Sequence, residues 1–584
     1  MAMAKYASHL KNSSRRKGKG MGFRLKSNMS FILMFIWLFG ETFPLWALDR
    51  YVVEPGTVAD GNGGVYTDWS IAATQIQWAI SASTNAGDTI WVSNGTYVLT
   101  NQIVVVSNIV LRSTNGPEVT IVNGNFTLNA PDATTNNRCL FLSNGSAFVS
   151  GFTFSNGACT NLGGGGVLMY KGILSNCTIC NNTEFHPTNA GGLYYGGGGI
   201  MANGNSTVAT CRIIGNVLTN PAVYSIAGAG GGVYCRLDDN FFTDCLISNN
   251  VIYGGGGTVQ GAGCFFDSAG IIQYSLICNN SNPAGYAGGV YFDNANRVMI
   301  GCTVVANWAS SFAGCYMQRG LITNSVISNN FGRGIYMIPN TVYSIAIVKN
   351  SIIANNMREG IYIDSTVGTN IVTDCLVEGN MSNGVTMYQS NTNQNLLNCV
   401  VRNNRAGGVR CRLGTVRNCL IAGNTNAGPW GGLFIQSGGD RASISGCTIT
   451  SNQSAGAGAG IRFENSAASV ISVSSCIIYS NGVAGTNDLY DANAPVNYNR
   501  LQYSCLGTNP GFTGAVIIVA DPQFNNFAGG DYRLSGNSPC VNAGSNEPWM
   551  TNAYDLDKNQ RIRYGTVDMG AYERINEGVI YSIH

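Results

Sequence analysis

A small residue followed five positions later by asparagine recurs down most of this chain, and that repeat limits the possible folds more than any other feature. It pairs Cys177 with Asn182, Cys211 with Asn216, Cys245 with Asn250, Ser275 with Asn280, Cys302 with Asn307 and Ser325 with Asn330. It continues through Ser351 and Asn356, Cys375 and Asn380, Cys399 and Asn404, Cys419 and Asn424, Cys447 and Asn452, and Cys476 and Asn481. Gly151 with Asn156 reads as an earlier, degenerate copy. The small residues recur every 20 to 34 positions. Each copy is too short to bury its own apolar face, so stability requires copies to stack as a solenoid. Stacked coils lie about 4.8 Å apart, the spacing of paired strands. Equivalent residues then form ladders, and a ladder of Asn at a turn hydrogen-bonds from coil to coil and tolerates left-handed backbone. The predicted fold is all-β: a right-handed parallel β-helix solenoid.

Composition supports this and excludes alternatives. Hydrophobic residues make up 45%, too many for a disordered polymer, and the 76 glycines are not at every third position as collagen requires. Nineteen cysteines suggest a disulfide framework in an exported chain. Yet the cysteine position of the repeat also accepts Ser or Gly, so smallness is its requirement, and buried free thiols are expected. Adjacent coils bring Cys177 and Cys211 within bridging range, and Cys505 with Cys540 forms a second candidate pair.

The first 47 residues read as a signal peptide. A basic stretch from Lys5 to Lys26 precedes the apolar run Met29 to Phe39, and Ala47 is the cleavage position; Met21 is an alternative start. The apolar run is short for a membrane span, so none is expected once it is removed. Eight basic residues and one acid leave with this segment, so the rest carries 24 basic against 29 acidic residues, net −5. With no basic run left, nucleic acid is set aside as a partner. A bacterial exported protein, secreted or at the cell surface, is expected.

Four regions follow: 1–47 signal peptide, 48–135 N-terminal cap and first coils, 136–510 repeats, and 511–584 C-terminal capping module. Ile71 to Ala82 carries apolar residues at a helical period, at Ala72, Ile76, Ala79 and Ile80, and predicts a helix covering the first coil's open edge. Gly87 to Val92 predicts a strand with a turn at Asn94-Gly95.

Ile76-Gln77-Trp78-Ala79-Ile80 followed by Gly87-Asp88-Thr89-Ile90-Trp91-Val92 resembles the opening of pectin-lyase-like right-handed β-helices. The recurring Asn and Gly-Gly-Val/Ile elements are also similar to adhesin-type repeats. The tail resembles the choice-of-anchor module that closes many secreted bacterial β-helix proteins, on Asp531-Tyr532-Arg533-Leu534, Ser538-Pro539, Asn542-Ala543-Gly544, Asp555-Leu556-Asp557, Arg561 and Asp568-Met569-Gly570-Ala571-Tyr572-Glu573. That resemblance implies a sorting segment, whereas the eleven residues after Glu573 carry no apolar stretch. Release or non-covalent surface association is therefore expected. The fold hosts lyases, hydrolases and adhesins alike, so function must come from the site.

A second strand follows a glycine cluster in each coil. If Val233, Cys264, Val290, Cys315, Ile335 and Ile361 point inward, then Tyr234, Phe265, Tyr291, Tyr316, Tyr336 and Tyr362 form an outward aromatic column. Two positions on lie Arg236, Asp267, Asp293, Gln318, Ile338 and Asp364. Aromatic rings edged by polar groups suit a polysaccharide or surface glycan, with Gln318 and Arg319 as further contacts. Stacked aromatics that only stabilise the sheet are the alternative. Asp267 and Asp293 on adjacent coils, with Arg236 beside them, are the candidate catalytic set, because close carboxylates separate in pKa. Asp238, Asp239 and Arg319 lie near the same coils.

The catalytic motifs of polygalacturonase-like enzymes are absent apart from the Asp238-Asp239 pair, and only His186 and His584 follow the first 47 residues. Asp555-Leu556-Asp557-Lys558-Asn559 alternates oxygen ligands as a Ca²⁺ loop does, but lacks its glycine and distal Glu. It reads first as a turn paired with Arg561 or Arg563; no cofactor is expected, with Ca²⁺ at that loop the alternative. A monomeric solenoid with a carbohydrate-binding or adhesive surface is the leading expectation. A polysaccharide lyase or glycoside hydrolase of the same fold is the other.

Overall fold

The computed structural model describes residues 47–56, 64–126, 137–160, 162–185, 196–219, 230–237, 239–254, 259–283, 285–293, 297–310, 312–436, 441–464, 470–482, 488–491, 500–509, 511–512 and 514–575. The expected signal peptide, apart from Ala47, lies outside them, as do Asp238, His186 and His584. No helix among the described residues is long and apolar enough to cross a membrane.

Each coil makes three strands, and each strand pairs in parallel with its counterpart one coil away. In one coil these are Val233–Cys235, Asn240–Thr243 and Leu246–Ser248. The next coil repeats them as Cys264–Phe266, Gly270–Gln273 and Leu276–Cys278, in unbroken register. We call the three resulting sheets 1, 2 and 3 in that order. In some coils a short fourth strand such as Val251–Tyr253 follows. The alternation of a strand sends every second side chain inward, and the interior is filled by Val, Ile, Leu, Phe, Met and Cys from all three sheets. Val233, Cys264, Val290, Cys315, Ile335 and Ile361 all belong to this core, as the sequence predicted.

The asparagine ladder holds one corner of the stack. Asn356 is fully buried: its backbone N–H and Nδ2 both donate to Asn380 Oδ1, at 3.0 Å each, and Nδ2 also reaches Ile327 O at 3.1 Å. Its own Oδ1 accepts from Asn330 N and Nδ2 at 3.1 and 3.0 Å. Donors and acceptors are therefore all used, and the same pattern runs from Asn182 to Asn481. The left-handed backbone falls one residue earlier than expected. Asn181, Asn249, Asn279, Asn329, Asn355 and Asn403 have positive φ, whereas the ladder residues do not. The ladder thus selects asparagine for its side chain. The degenerate first copy also shifts by one: Thr153 pairs with Thr178, which aligns Phe152 and Gly157, not Gly151 and Asn156, with Cys177 and Asn182.

The ladder explains the glycine that precedes each sheet-1 strand from Val167–Met169 to Ile461–Phe463. A Cβ on Gly334 would sit 2.7 Å from Asn356 Nδ2 and 2.6 Å from Gly360 O. Only glycine lets the strand approach so closely. The small-residue column packs beside it, and where Ser replaces Cys its hydroxyl bonds between coils, as from Cys245 N to Ser275 Oγ at 3.1 Å. All nineteen cysteines are free thiols, so neither candidate disulfide is formed.

Both ends are covered. Helix α1, Ile76–Ala82, buries Ile76, Ala79 and Ile80, and follows a short 3₁₀ turn at Trp69–Ile71 that occupies the start of the predicted helix. Asn94 forms a corner rather than a hairpin, with Gly95 already opening the next strand. At the far end Ile517–Val519 is the last sheet-3 strand, paired with Ser504–Leu506. The chain beyond it lies on the outer side of sheet 3. Arg561 is buried there, 3.2 Å from Glu573, with Nη1 donating to Gly570 O at 2.8 Å. Lys558 reaches back to Asp374 at 2.6 Å. The Asp555 to Asn559 turn closes differently from the expected pairing: Asp555 accepts from Asn559 N and Glu573 N at 2.7 Å each, and Asp557 binds Arg533, not Arg561 or Arg563.

Two substitutions test this account. Asn356→Ala strands Asn330 N, worth about 1–3 kcal/mol when buried unpaired, and removes the Nδ2 bonds to Ile327 O and to Asn380 Oδ1, the latter still accepting from the backbone N–H at position 356. A stability loss of at least about 2 kcal/mol is expected in denaturant unfolding. The ladder ends on Asp488, whose Oδ1 accepts from Asn481 N and Nδ2 at 2.8 Å. Burial pushes the Asp488 carboxyl up to about 6, while the bonds from Asn481 oppose the shift. A carboxyl raised in the folded state stabilises it when protonated, so this contribution is full below about pH 4 and is lost as pH rises through about 6. Asp488→Asn should remove that loss and raise Tm at pH 7 relative to wild type, with little change at pH 4.

Candidate functional site

The aromatic column is in register as its spacing predicted. Tyr234, Phe265, Tyr291, Tyr316, Tyr336 and Tyr362 are consecutive cross-coil partners on the outer side of sheet 1. Their rings stack, with centroids 5.5 Å apart at Tyr234–Phe265, 5.1 Å at Phe265–Tyr291, 4.2 Å at Tyr291–Tyr316 and 5.6 Å at Tyr336–Tyr362. What spacing did not reveal is their cover. Tyr234, Phe265 and Tyr291 are at most 2% exposed, and Tyr316 and Tyr336 are also buried. They form a second apolar cluster outside the main core, joined by Leu168, Met201 and Ala287. Loop residues preceding the strands supply an upper layer: Tyr286 stacks on Tyr316 at 5.9 Å and Phe312 on Tyr336 at 3.9 Å. Five of the six rings therefore have no open face for a sugar, and only Tyr362 is half-exposed.

The open rings lie in the upper layer and further along the stack. Tyr286, Phe312, Tyr362 and Tyr388 are all half-buried. Arg333 bridges the middle of this run, with its guanidinium 4.1 Å from the Tyr362 ring centre and its Nε 2.8 Å from Glu359. Tyr388 stacks beside Tyr362 at 5.8 Å. It occupies the column of Asp364, one coil beyond the residues singled out in the sequence, so extending the same alignment finds it. Tyr286 and Phe312 lie in loops of unequal length, and no periodicity points to them.

A polar edge runs beside the rings. Asp364 accepts from Tyr336 Oη at 2.6 Å and from Gln389 Nε2 at 2.7 Å. Gln318 donates to Tyr291 Oη at 3.2 Å and accepts from Asn340 Nδ2 at 2.9 Å. Arg410 Nε donates to Gln436 Oε1 at 3.0 Å. Arg319 follows Gln318 in the turn and is half-buried.

Asp267 and Asp293 leave the ends of paired sheet-1 strands, one coil apart. Burial raises both carboxyls, Arg297 opposes the shift, and Asp267 adds to that of Asp293. The sequence reading placed Arg236 beside this pair, and Arg236 does act on Asp267. The cation that acts on both acids, however, is Arg297, which sequence reasoning missed. It opens a sheet-2 strand at a position whose neighbours on the adjoining coils are Gly270 and Gly320. The whole residue is buried. Its Nη2 donates to the Asp267 backbone carbonyl. Burial brings the guanidinium down to about 10 despite the two acids. A lone arginine among strand residues gives no sequence signal; its meaning depends on which turn it faces. The broad depressions elsewhere, lined by Trp91, Arg112 and Phe148 or by Arg405, Gln453 and Gly482, do not include this pair.

Fold and site together define a parallel β-solenoid with a capped aromatic face. The sequence matches the family of right-handed β-helix regions over residues 198–375 and 342–519, more than half of the chain, and the protein belongs to that family. Comparison with curated proteins gives no match. Among solved structures, the pectate lyase Pel9A is 14% identical, covering 91% of this chain and 98% of that one with a TM-score of 0.28. The A-module of the Azotobacter vinelandii mannuronan C-5 epimerase AlgE4 is 14% identical, covering 76% and 92%, with a TM-score of 0.22. At these scores neither likeness bears on this chain's chemistry.

Arg297→Met should separate the acids from their shared cation. Their ionised forms lose that compensation, whereas protonation as the pH falls spares much of the loss. The drop in Tm relative to wild type should therefore be larger at pH 7 than at pH 4.

Proposed function

We propose that this is an exported solenoid that binds an extended polysaccharide without altering it, along the half-exposed aromatic face. The supporting observation is the run Tyr286, Phe312, Arg333, Tyr362 and Tyr388, which places a ring or a ring-covering guanidinium on five successive coils. With about 4.8 Å per coil, the run offers roughly 20 Å of surface. That repeat is close to the rise of one sugar unit, so rings on one strand of sugars meet rings on successive coils. Asp364, Gln389, Gln318 and Asn340 edge the run with acceptors and donors for hydroxyl groups. The buried rings of Tyr291, Tyr316 and Tyr336 then serve as the rigid floor beneath it.

A polysaccharide lyase or hydrolase is the second reading, and one observation favours it. Asp267 and Asp293 are raised carboxyls that share Arg297, which suits a division into acid and base.

A panel of neutral and acidic polysaccharides, with and without Ca²⁺, separates the two. Binding without new reducing ends or unsaturated products is expected. Tyr362→Ala and Tyr388→Ala should each weaken binding roughly fivefold, about 1 kcal/mol for a lost ring contact, while Asp267→Asn leaves it unchanged. Products that vanish in Asp267→Asn and Asp293→Asn would replace the binding reading with the enzymatic one.

A further inference from the structure

Two rows of side chains run along the outside of the corner between sheets 2 and 3. On sheet 2, Phe241, Ile271, Val298, Leu321, Ile347 and Ile371 are cross-coil neighbours on six successive coils. On sheet 3 the matching row runs from Leu246 through Leu276, Val326 and Ile352 to Val400, interrupted by Thr303. All are half-buried or exposed, with Leu276 at 39% and Tyr274, on the corner itself, at 60%. A solvated outer face of a sheet normally alternates to polar residues.

The same sheet-3 row continues as Leu420, Thr448 and Ile477, and there it is covered. These residues are 6%, 1% and 1% exposed, because the C-terminal part of the chain lies on them. Met569 joins the cluster around Ile477, and Ala571 N donates to Thr448 Oγ1 at 3.0 Å. From the coil of Val400 onward, through the covered coils, the sheet-2 row turns polar, as Asn395, Thr415, Ser443 and Ser472. Apolar character on both sides of the corner is thus confined to coils whose two rows the C-terminal part leaves open, its one reach toward them among the described residues being Lys558 on Asp374, at the corner between Ile371 and Leu376.

Seven coils on sheet 3 and six on sheet 2, at about 4.8 Å each, give an apolar surface of roughly 500 Å². That approaches the ~800 Å² each partner contributes to a stable interface. The surface is also periodic, with a ridge at every coil. Ridges fit grooves along their whole length only when the facing surface has the same spacing, and another stack of coils has it. We propose that this corner docks a second copy of the chain, two solenoids lying side by side with their faces about 10 Å apart. The assembly replaces the monomer that the sequence led us to expect.

Sedimentation equilibrium of the purified protein tests the proposal. A dimer is expected at micromolar concentration, and Leu276→Lys with Ile352→Lys should shift its dissociation constant at least 100-fold, giving a monomer with wild-type far-UV circular dichroism. If the lysines impair folding, Leu276→Thr with Ile352→Thr is the second variant, since Thr303 already occupies this row; it should weaken the dimer at least tenfold. A wild-type monomer up to about 100 μM, a strength below which no stable interface of this size operates, overturns the proposal. So does a dimer that persists unchanged in the folded variants.

Discussion

The asparagine ladder is the interaction on which the rest of this structure depends. Each buried amide joins three coils: its Nδ2 reaches a carbonyl on one side and the next Oδ1 on the other, as Asn356 shows between Ile327 and Asn380. Because every donor and acceptor is used, a coil of the wrong length at this corner would leave several buried polar groups unpaired. The ladder therefore fixes coil registration, and the loops are free to vary only elsewhere. Glycine at Gly334 and its counterparts follows from the ladder, since the amide fills the space a Cβ would need.

That registration produces the columns from which function arises. Once coils are locked, residues separated by 20 to 34 positions stand one above another. On sheet 1 the result is a stack of rings bordered by hydroxyls, amides and carboxylates. On the opposite corner it is a ridged aliphatic surface. The covering layers differ: Tyr286 and Phe312 roof the rings, while the C-terminal part of the chain roofs only the last coils of the aliphatic row. Which columns meet solvent is set by where each roof stops.

Much of this was legible in the sequence. The repeat gave the solenoid, the alternation within Gly-Val-Tyr and Gly-Ile-Tyr gave the inward and outward sides of sheet 1, and both were right to the residue from Val233 to Tyr362. The small-residue column was readable as free thiols because Ser substitutes for Cys in it. The errors were of one residue or of cover. The left-handed position precedes the ladder Asn because the turn bends there, and a periodic pattern has no way to say which of two adjacent asparagines carries the bend. Arg297 went unnoticed for a related reason. Arg297 lies in a different sheet from the acids it compensates, thirty residues from Asp267, and meets them only once the coils are stacked.

The sequence by itself determined periodicity: coil spacing, strand direction, the identity of each column and which side of sheet 1 it faces. These depend on local alternation and on residues equivalent between copies, and both are written linearly in the chain. Tertiary structure alone decided exposure. Whether Tyr291 or Tyr388 meets solvent depends on irregular loops and on the path of the C-terminal part, which obey no repeat. The same holds for the charges, because the field at Asp267 and Asp293 comes from a buried side chain on another sheet.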